Sequence, residues 1–66
     1  MKTNLNDFRE LLVNKLIEAE EFDLASDIKN FKNIGVVNQN WELYNELKLE
    51  MGSDSALEYI IETEIL

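Results

Sequence analysis

Acidic side chains recur at every fourth position through the last third of this sequence. They are Glu42, Glu46, Glu50, Asp54, Glu58 and Glu62. On a helix, a step of four residues advances about 6 Å and rotates about 40° beyond a full turn, so each helical run of these residues presents a slowly winding acidic stripe. Like charges at this spacing repel by roughly a few tenths of a kcal/mol per pair. The acids therefore serve either as a solvated face that keeps a small protein soluble or as a docking surface for a basic partner.

The chain contains no histidine and no cysteine. It therefore has no imidazole base, no thiolate nucleophile and no histidine-bearing metal site, and Gly35 and Gly52 do not form a glycine-rich phosphate loop. Paired carboxylates such as Glu42 and Glu46 are the remaining candidates for acid–base chemistry or cation binding, but the Glu-x-x-His element of di-iron bundles is missing. We predict that the protein is not an enzyme and has no cofactor and no metal site.

The net charge of −8 and the pI near 4.2 oppose several kinds of partner. Direct binding to nucleic acid depends mainly on Lys and Arg neutralising phosphates, and anionic membranes attract the same basic residues. No apolar run approaches the roughly 20 residues that span a bilayer, and the first four residues lead into polar sequence rather than a signal-peptide core. We predict a cytoplasmic protein that binds neither nucleic acid nor membrane directly.

With 66 residues, there is room for a single domain, 1–66, whose core rarely supplies more than about 3–5 kcal/mol. The hydrophobic fraction is 45% and there is no proline. Apolar residues recur at steps of three and four, which is the spacing of a helical face. The predicted fold is all-α, a compact bundle of three to four short helices.

The first two helices are predicted at about 4–20 and 23–33. Asn4 has the character of an N-cap for helix one, because Asp7 follows in the first turn. Gly35 is the natural left-handed residue after helix two. The expected core faces are formed by Leu5, Phe8, Leu12, Leu16 and Ala19 in helix one and by Leu24, Ala25, Ile28 and Phe31 in helix two.

Residues 36–40 lack helical periodicity and are predicted to form a short ordered connection. Asn38 or Asn40 then caps helix three, which Gly52 ends, and Ser53, Asp54 or Ser55 caps helix four. The expected core faces are Trp41, Tyr44, Leu47 and Met51 in helix three and Leu57, Ile60 and Ile61 in helix four.

Two aromatic residues allow two interpretations each. Trp41 continues the apolar stripe of helix three and so belongs to the core, but if it is exposed it lies beside Glu42 and Glu46 as an interface anchor next to an acidic rim. Phe22 is likewise either a core residue or part of a docking surface. Both are kept as candidate partner-binding residues together with the six acids.

Residues 20–30, EEFDLASDIKN, resemble the UVR motif, a short antiparallel helical hairpin. In that motif an aromatic residue or leucine, an acid, a small pair and a Leu-Arg-Asp run occur in this order. The resemblance implies that the hairpin binds other proteins, as in excision-repair subunits and regulators of bacterial protein quality control, with Phe22 at the docking surface. Lys29 and Asn30 stand where the motif has Arg-Asp, and Lys32 occupies its next apolar position. The matching positions are Phe22, Asp23, Ala25, Ser26, Ile28, Lys29 and Asn30.

Two functions from different classes follow. The first is a non-enzymatic protein-binding module, a small inhibitor or adaptor that docks on a basic surface of a partner protein. A phage-encoded inhibitor that mimics nucleic acid is one version of it. The alternative is a structural, self-associating helical protein, since small size favours a homo-oligomer.

Overall fold

The computed structural model describes residues 2–66. Within this part of the chain, four α-helices follow one another, and the last continues into a π-helical turn. The prediction of an all-α bundle is confirmed. The elements are α1 (Leu5–Glu18), α2 (Phe22–Lys29), α3 (Ile34–Met51), α4 (Ser53–Ile60) and the π-turn (Ile61–Ile65).

Helix α1 begins where the sequence predicts. The Asn4 side-chain oxygen accepts a hydrogen bond from the Asp7 amide at 2.8 Å, which satisfies one of the free N–H groups of the first turn. The buried residues Phe8, Leu12 and Leu16 recur at four-residue steps. The helix ends at Glu18, and Ala19, which was expected in the core, is exposed.

Helices α1 and α2 both end with a non-glycine residue in the left-handed conformation. Glu20 has φ 61° and Phe31 has φ 62°. Following α1, the Glu21 amide donates to the carbonyl of Leu16 at 2.8 Å and the Glu20 amide donates to that of Ile17 at 3.0 Å. This is the Schellman arrangement, whose left-handed position is usually occupied by glycine.

The same arrangement corrects the predicted end of helix two. The Lys32 amide donates to the carbonyl of Asp27 at 2.9 Å, so the chain leaves α2 after Lys29 rather than at residue 33. Phe31 adopts the left-handed conformation that was predicted for Gly35. Phe31 is also exposed, although it was expected on the core face of helix two.

We expect Glu20→Gly to stabilise the protein by about 1 kcal/mol, because glycine adopts the left-handed conformation without the steric cost that a side chain carries there. Urea unfolding followed by circular dichroism measures the change. Glu10→Gly is the matched control, since Glu10 is exposed within α1 and the same substitution there should cost about 1 kcal/mol. A Glu20→Gly variant less stable than the wild type would contradict this explanation.

Helix α3 begins at Ile34, so the predicted connection at 36–40 is wrong. These residues are helical, and Val37 and Asn40 are buried. Asn40 does not cap the helix, because its side-chain amide donates to the carbonyl of Val36 one turn earlier, at 2.9 Å. Asn38 lies in the same helix and does not cap it either.

Gly52 separates α3 from α4, as predicted. Its φ of 87° and ψ of 163° lie in a region that only glycine adopts readily. Gly52 is itself the N-cap of α4, so the predicted serine or aspartate cap is wrong. The hydroxyl of Ser53 instead shares a 2.8 Å hydrogen bond with that of Tyr44.

The core lies where α1 crosses the pair formed by α3 and α4, with α2 packed along α1. Phe8 and Tyr44 stack at its centre, with ring centroids 4.9 Å apart. Met51, expected on the core face of α3, is exposed at the end of that helix. Within residues 2–66, no helix has both the length and the apolar composition that crossing a bilayer requires.

Candidate protein-binding surface

Gly52 divides the acidic ladder into two shorter stripes. Glu42, Glu46 and Glu50 form the α3 stripe, one residue per turn along α3. The second, the α4 stripe, consists of Asp54, Glu58 and Glu62, which run along α4 into the π-turn. All six side chains are exposed, as a docking surface or a solubilising face requires.

The α4 stripe is partly neutralised from within the protein. Lys15 reaches across from α1 and places its ammonium nitrogen 3.3 Å from Glu58 Oε1 and 3.8 Å from Asp54 Oδ1. Partial desolvation opposes the charge of Lys15, but the hydrogen bond to Glu58 and the charges of Asp54, Glu58 and Glu18 outweigh it and raise the pKa of Lys15 above its ordinary value. Lys15 therefore stays protonated at neutral pH as a built-in counter-ion of this stripe.

The α3 stripe is more open. Lys2 pairs with Glu42 at 2.7 Å, whereas Glu46 and Glu50 have no ion-pair partner among residues 2–66. Beside them stands Leu49, 79% exposed, the most exposed of the large hydrophobic side chains that the structure describes. A shallow groove next to Leu49 is bordered by Lys2, Glu42, Asn45, Glu46 and Lys48. Carboxylates and an apolar side chain thus share one surface of α3.

Trp41 is half-buried and is used inside the protein. Its indole N–H donates to the Thr3 carbonyl at 2.7 Å, and the Lys2 ammonium lies 4.5 Å from the ring centroid. The indole packs against the core as the stripe of helix three predicts. Its contribution to a partner surface is therefore confined to the ring area that stays exposed beside Glu42.

The sequence did not indicate that α3 holds the N-terminal segment. Asn45 accepts a hydrogen bond from the Thr3 amide at 2.7 Å and donates to the Thr3 carbonyl at 3.2 Å, so one side chain binds both backbone groups of one residue. Lys48 donates to the Thr3 hydroxyl. We refer to Trp41, Asn45 and Lys48 as the N-terminal clamp. Its members are spaced as one helical face, but their partner lies about 40 residues away and has no local sequence pattern.

Phe22 is exposed, so its interpretation as a core residue is wrong. The side chain is 60% exposed at the first position of α2. Its nearest sequence neighbours Glu21 and Asp23 are acidic. The docking role that the UVR resemblance implies for Phe22 stays a prediction.

No group of three acidic side chains within residues 2–66 converges closely enough to hold a metal ion. Comparison of the chain with protein families, characterised proteins and solved structures finds no match. The two stripes, the exposed apolar side chains and the N-terminal clamp are therefore the features on which a function can be argued.

Proposed function

We propose that this protein is a non-enzymatic binding module, an inhibitor or adaptor, that docks on a basic surface of a partner protein through the α3 stripe. The observation that carries the proposal is the arrangement of Glu46, Leu49 and Glu50. Two exposed carboxylates without an ion-pair partner among the described residues flank a leucine that is almost fully exposed. An apolar contact with a charged rim is the usual composition of a protein interface.

The α3 stripe is favoured over the α4 stripe because of its counter-ions. A partner that binds Asp54 or Glu58 must compete with Lys15, whose ammonium already contacts both carboxylates. Within residues 2–66, Glu42 is the only member of the α3 stripe with an ion-pair partner, and its lysine is itself exposed. Basic groups of a partner therefore gain more at Glu46 and Glu50.

The spacing also suits a partner that binds nucleic acid. Successive carboxylates on one helical face stand about 6 Å apart and form a row of negative charges. Such a row can occupy a basic groove that otherwise takes phosphates. In this version of the proposal, the protein acts as a competitive inhibitor, and nucleic acid displaces it from its partner.

Neutralising the α3 stripe should weaken binding of the partner. We expect the triple variant Glu42→Gln, Glu46→Gln, Glu50→Gln to lose at least about tenfold in affinity, since the loss of one close charge pair worth ~1.5 kcal/mol already corresponds to about tenfold. The measurement is affinity capture from a bacterial lysate at physiological salt, with mass spectrometry of the bound proteins, followed by titration of the purified partner.

The matched control changes the α4 stripe by the same amount of charge. Asp54→Asn, Glu58→Gln, Glu62→Gln also removes three negative charges and should retain the partner. Circular dichroism establishes that both triple variants fold. Equal loss in both variants would assign binding to net charge alone, and a wild type that retains no basic protein would refute the proposed function.

A further inference from the structure

A second groove lies between α1 and α2 and differs in charge from the acidic stripes. Arg9, Val13 and Ile17 follow one another at four-residue steps along α1 and form one of its walls, and Lys29 of α2 lies across from them. Ile17 is half-exposed, so its side chain is accessible in the groove. Asn6, Asn14 and one carboxylate, that of Glu10, complete the lining, so the groove has two cations and one acid.

The two cations of this groove are among the three basic residues that have no ion pair within residues 2–66, the third being Lys48 on α3. The chain has 14 acidic residues and only six basic ones. Lys2, Lys15 and Lys32 each form ion pairs within residues 2–66, but neither Arg9 nor Lys29 has a carboxylate at salt-bridge distance in that range. The groove therefore has a net positive lining, two cations against the carboxylate of Glu10, on a chain whose net charge is −8.

Arg9 is held in place by an aromatic side chain. Its guanidinium lies 4.4 Å from the ring centroid of Phe31, and Nη1 donates to Asn6 Oδ1 at 3.0 Å. Phe31 is 58% exposed and has the left-handed φ described above, which is unfavourable for a residue other than glycine. A guanidinium stacked on a ring keeps N–H groups at its edge, and these match the geometry of a carboxylate.

We propose that this groove binds an acidic segment of a partner protein that carries a large apolar side chain. The carboxylates of the segment pair with Arg9 and Lys29, and its apolar side chain packs on Ile17 and the edge of Val13. Charge complementarity favours this occupant, because the cations Arg9 and Lys29 outnumber the single carboxylate of the lining, Glu10. The net charge of −8 repels an acidic partner at long range. At physiological salt, the Debye length of about 8 Å screens this repulsion, so the charges within the groove dominate the electrostatic contribution to binding.

This surface is independent of the α3 stripe and opposite in sign to it. A protein with both surfaces can hold a basic partner and an acidic one at the same time. The inference therefore gives the adaptor version of the proposed function a second binding partner. It does not depend on that function, since each surface is tested with its own variants.

The probe is a fluorescein-labelled amphipathic peptide of alanine, glutamate and leucine, with two leucines at i and i+4 and glutamates on both sides of them. Fluorescence anisotropy with the whole chain should give saturable binding. The double variant Arg9→Gln, Lys29→Gln should weaken binding by at least about tenfold, because it removes both charged hydrogen-bond donors that pair with the carboxylates of the peptide. Ile17→Ala should weaken it by about fivefold through the lost apolar contact.

The matched control is Lys2→Gln, Lys32→Gln, which removes the same charge outside the groove and should leave the affinity for the peptide unchanged. Arg9→Lys keeps the charge but lacks the planar guanidinium edge, so its affinity for the peptide should lie between those of the wild type and the double variant. Amide chemical shifts should change at Arg9, Ile17 and Lys29 and not along the α3 stripe.

Three results would overturn the inference. The first is absence of binding up to about 1 mM peptide, a concentration that already corresponds to a weak interaction of about 4 kcal/mol. The second is a peptide in which lysine replaces every glutamate and which shifts the amides of Arg9, Ile17 and Lys29 with equal or higher affinity, since binding at the α3 stripe alone would leave these amides unchanged. The third is a change at the same amides on raising the protein concentration alone, which would assign the groove to a second copy of this chain.

Discussion

The Phe8→Ala variant is expected to be largely unfolded at room temperature. Phe8 has no exposed surface and stacks on Tyr44 with an angle of 27° between the rings. Replacing a buried phenylalanine by alanine costs about 3–5 kcal/mol, since it removes both the transfer free energy and the contacts around the resulting cavity. That loss equals the roughly 3–5 kcal/mol that the core of so small a domain supplies.

Circular dichroism and urea titration of the Phe8→Ala variant measure the loss, and Trp41 is the single tryptophan for a fluorescence readout. Phe22→Ala is the matched control, because it removes the same atoms from a side chain that is mostly exposed. We expect that control to change stability by no more than about 0.5 kcal/mol. A Phe8→Ala variant that keeps most of its stability would show that the stacked pair is not the centre of the core.

The Asn45→Leu variant is expected to lose about 2 kcal/mol of stability. Leucine has a similar volume, but it can neither accept the hydrogen bond from the Thr3 amide nor donate to the carbonyls of Thr3 and Trp41. Each such bond contributes about 1 kcal/mol to stability, and burial of the apolar leucine side chain offsets part of the loss. The N-terminal segment should then detach from α3.

Urea unfolding gives the change in stability, and hydrogen exchange at the Thr3 amide reports release of the segment directly. Asn38→Leu serves as the control, since Asn38 is exposed on the same helix and makes no side-chain hydrogen bond among those described. Slow exchange at Thr3 in the Asn45→Leu variant would mean that Trp41 and Lys48 hold the segment without Asn45.

Local patterns predicted the features of this fold that are encoded within one helical turn. Asn4 caps α1 because its side chain needs only the amide of Asp7, three residues away. Gly52 ends α3 because no other residue type adopts its backbone conformation as readily. The four-residue spacing of Phe8, Leu12 and Leu16 indicated the face of α1 that is buried.

The errors arose where longer-range packing decided the structure. Asparagines favour caps in isolated sequence, but Asn40 and Asn45 are buried within α3, and Asn45 binds a segment distant in the chain. Phe31 occupies a left-handed position in which glycine is expected. The prediction that Gly35 follows the end of helix two therefore placed that end too late in the chain. The acidic stripes were predicted as sequence patterns, whereas their internal counter-ions Lys2 and Lys15 depend on the tertiary fold.

The order in which the chain folds follows from how its helices are paired. Most contacts between helices lie within two successive pairs, α1 with α2 and α3 with α4, which form after closing short loops. The hydrogen bonds between Asn45 of the N-terminal clamp and Thr3 join positions 42 residues apart and therefore close a long loop. Contacts of this kind form late, so the clamp governs how slowly the native state opens more than how quickly it is reached. A side chain at the edge of the acidic surface is thereby expected to slow the unfolding of the protein.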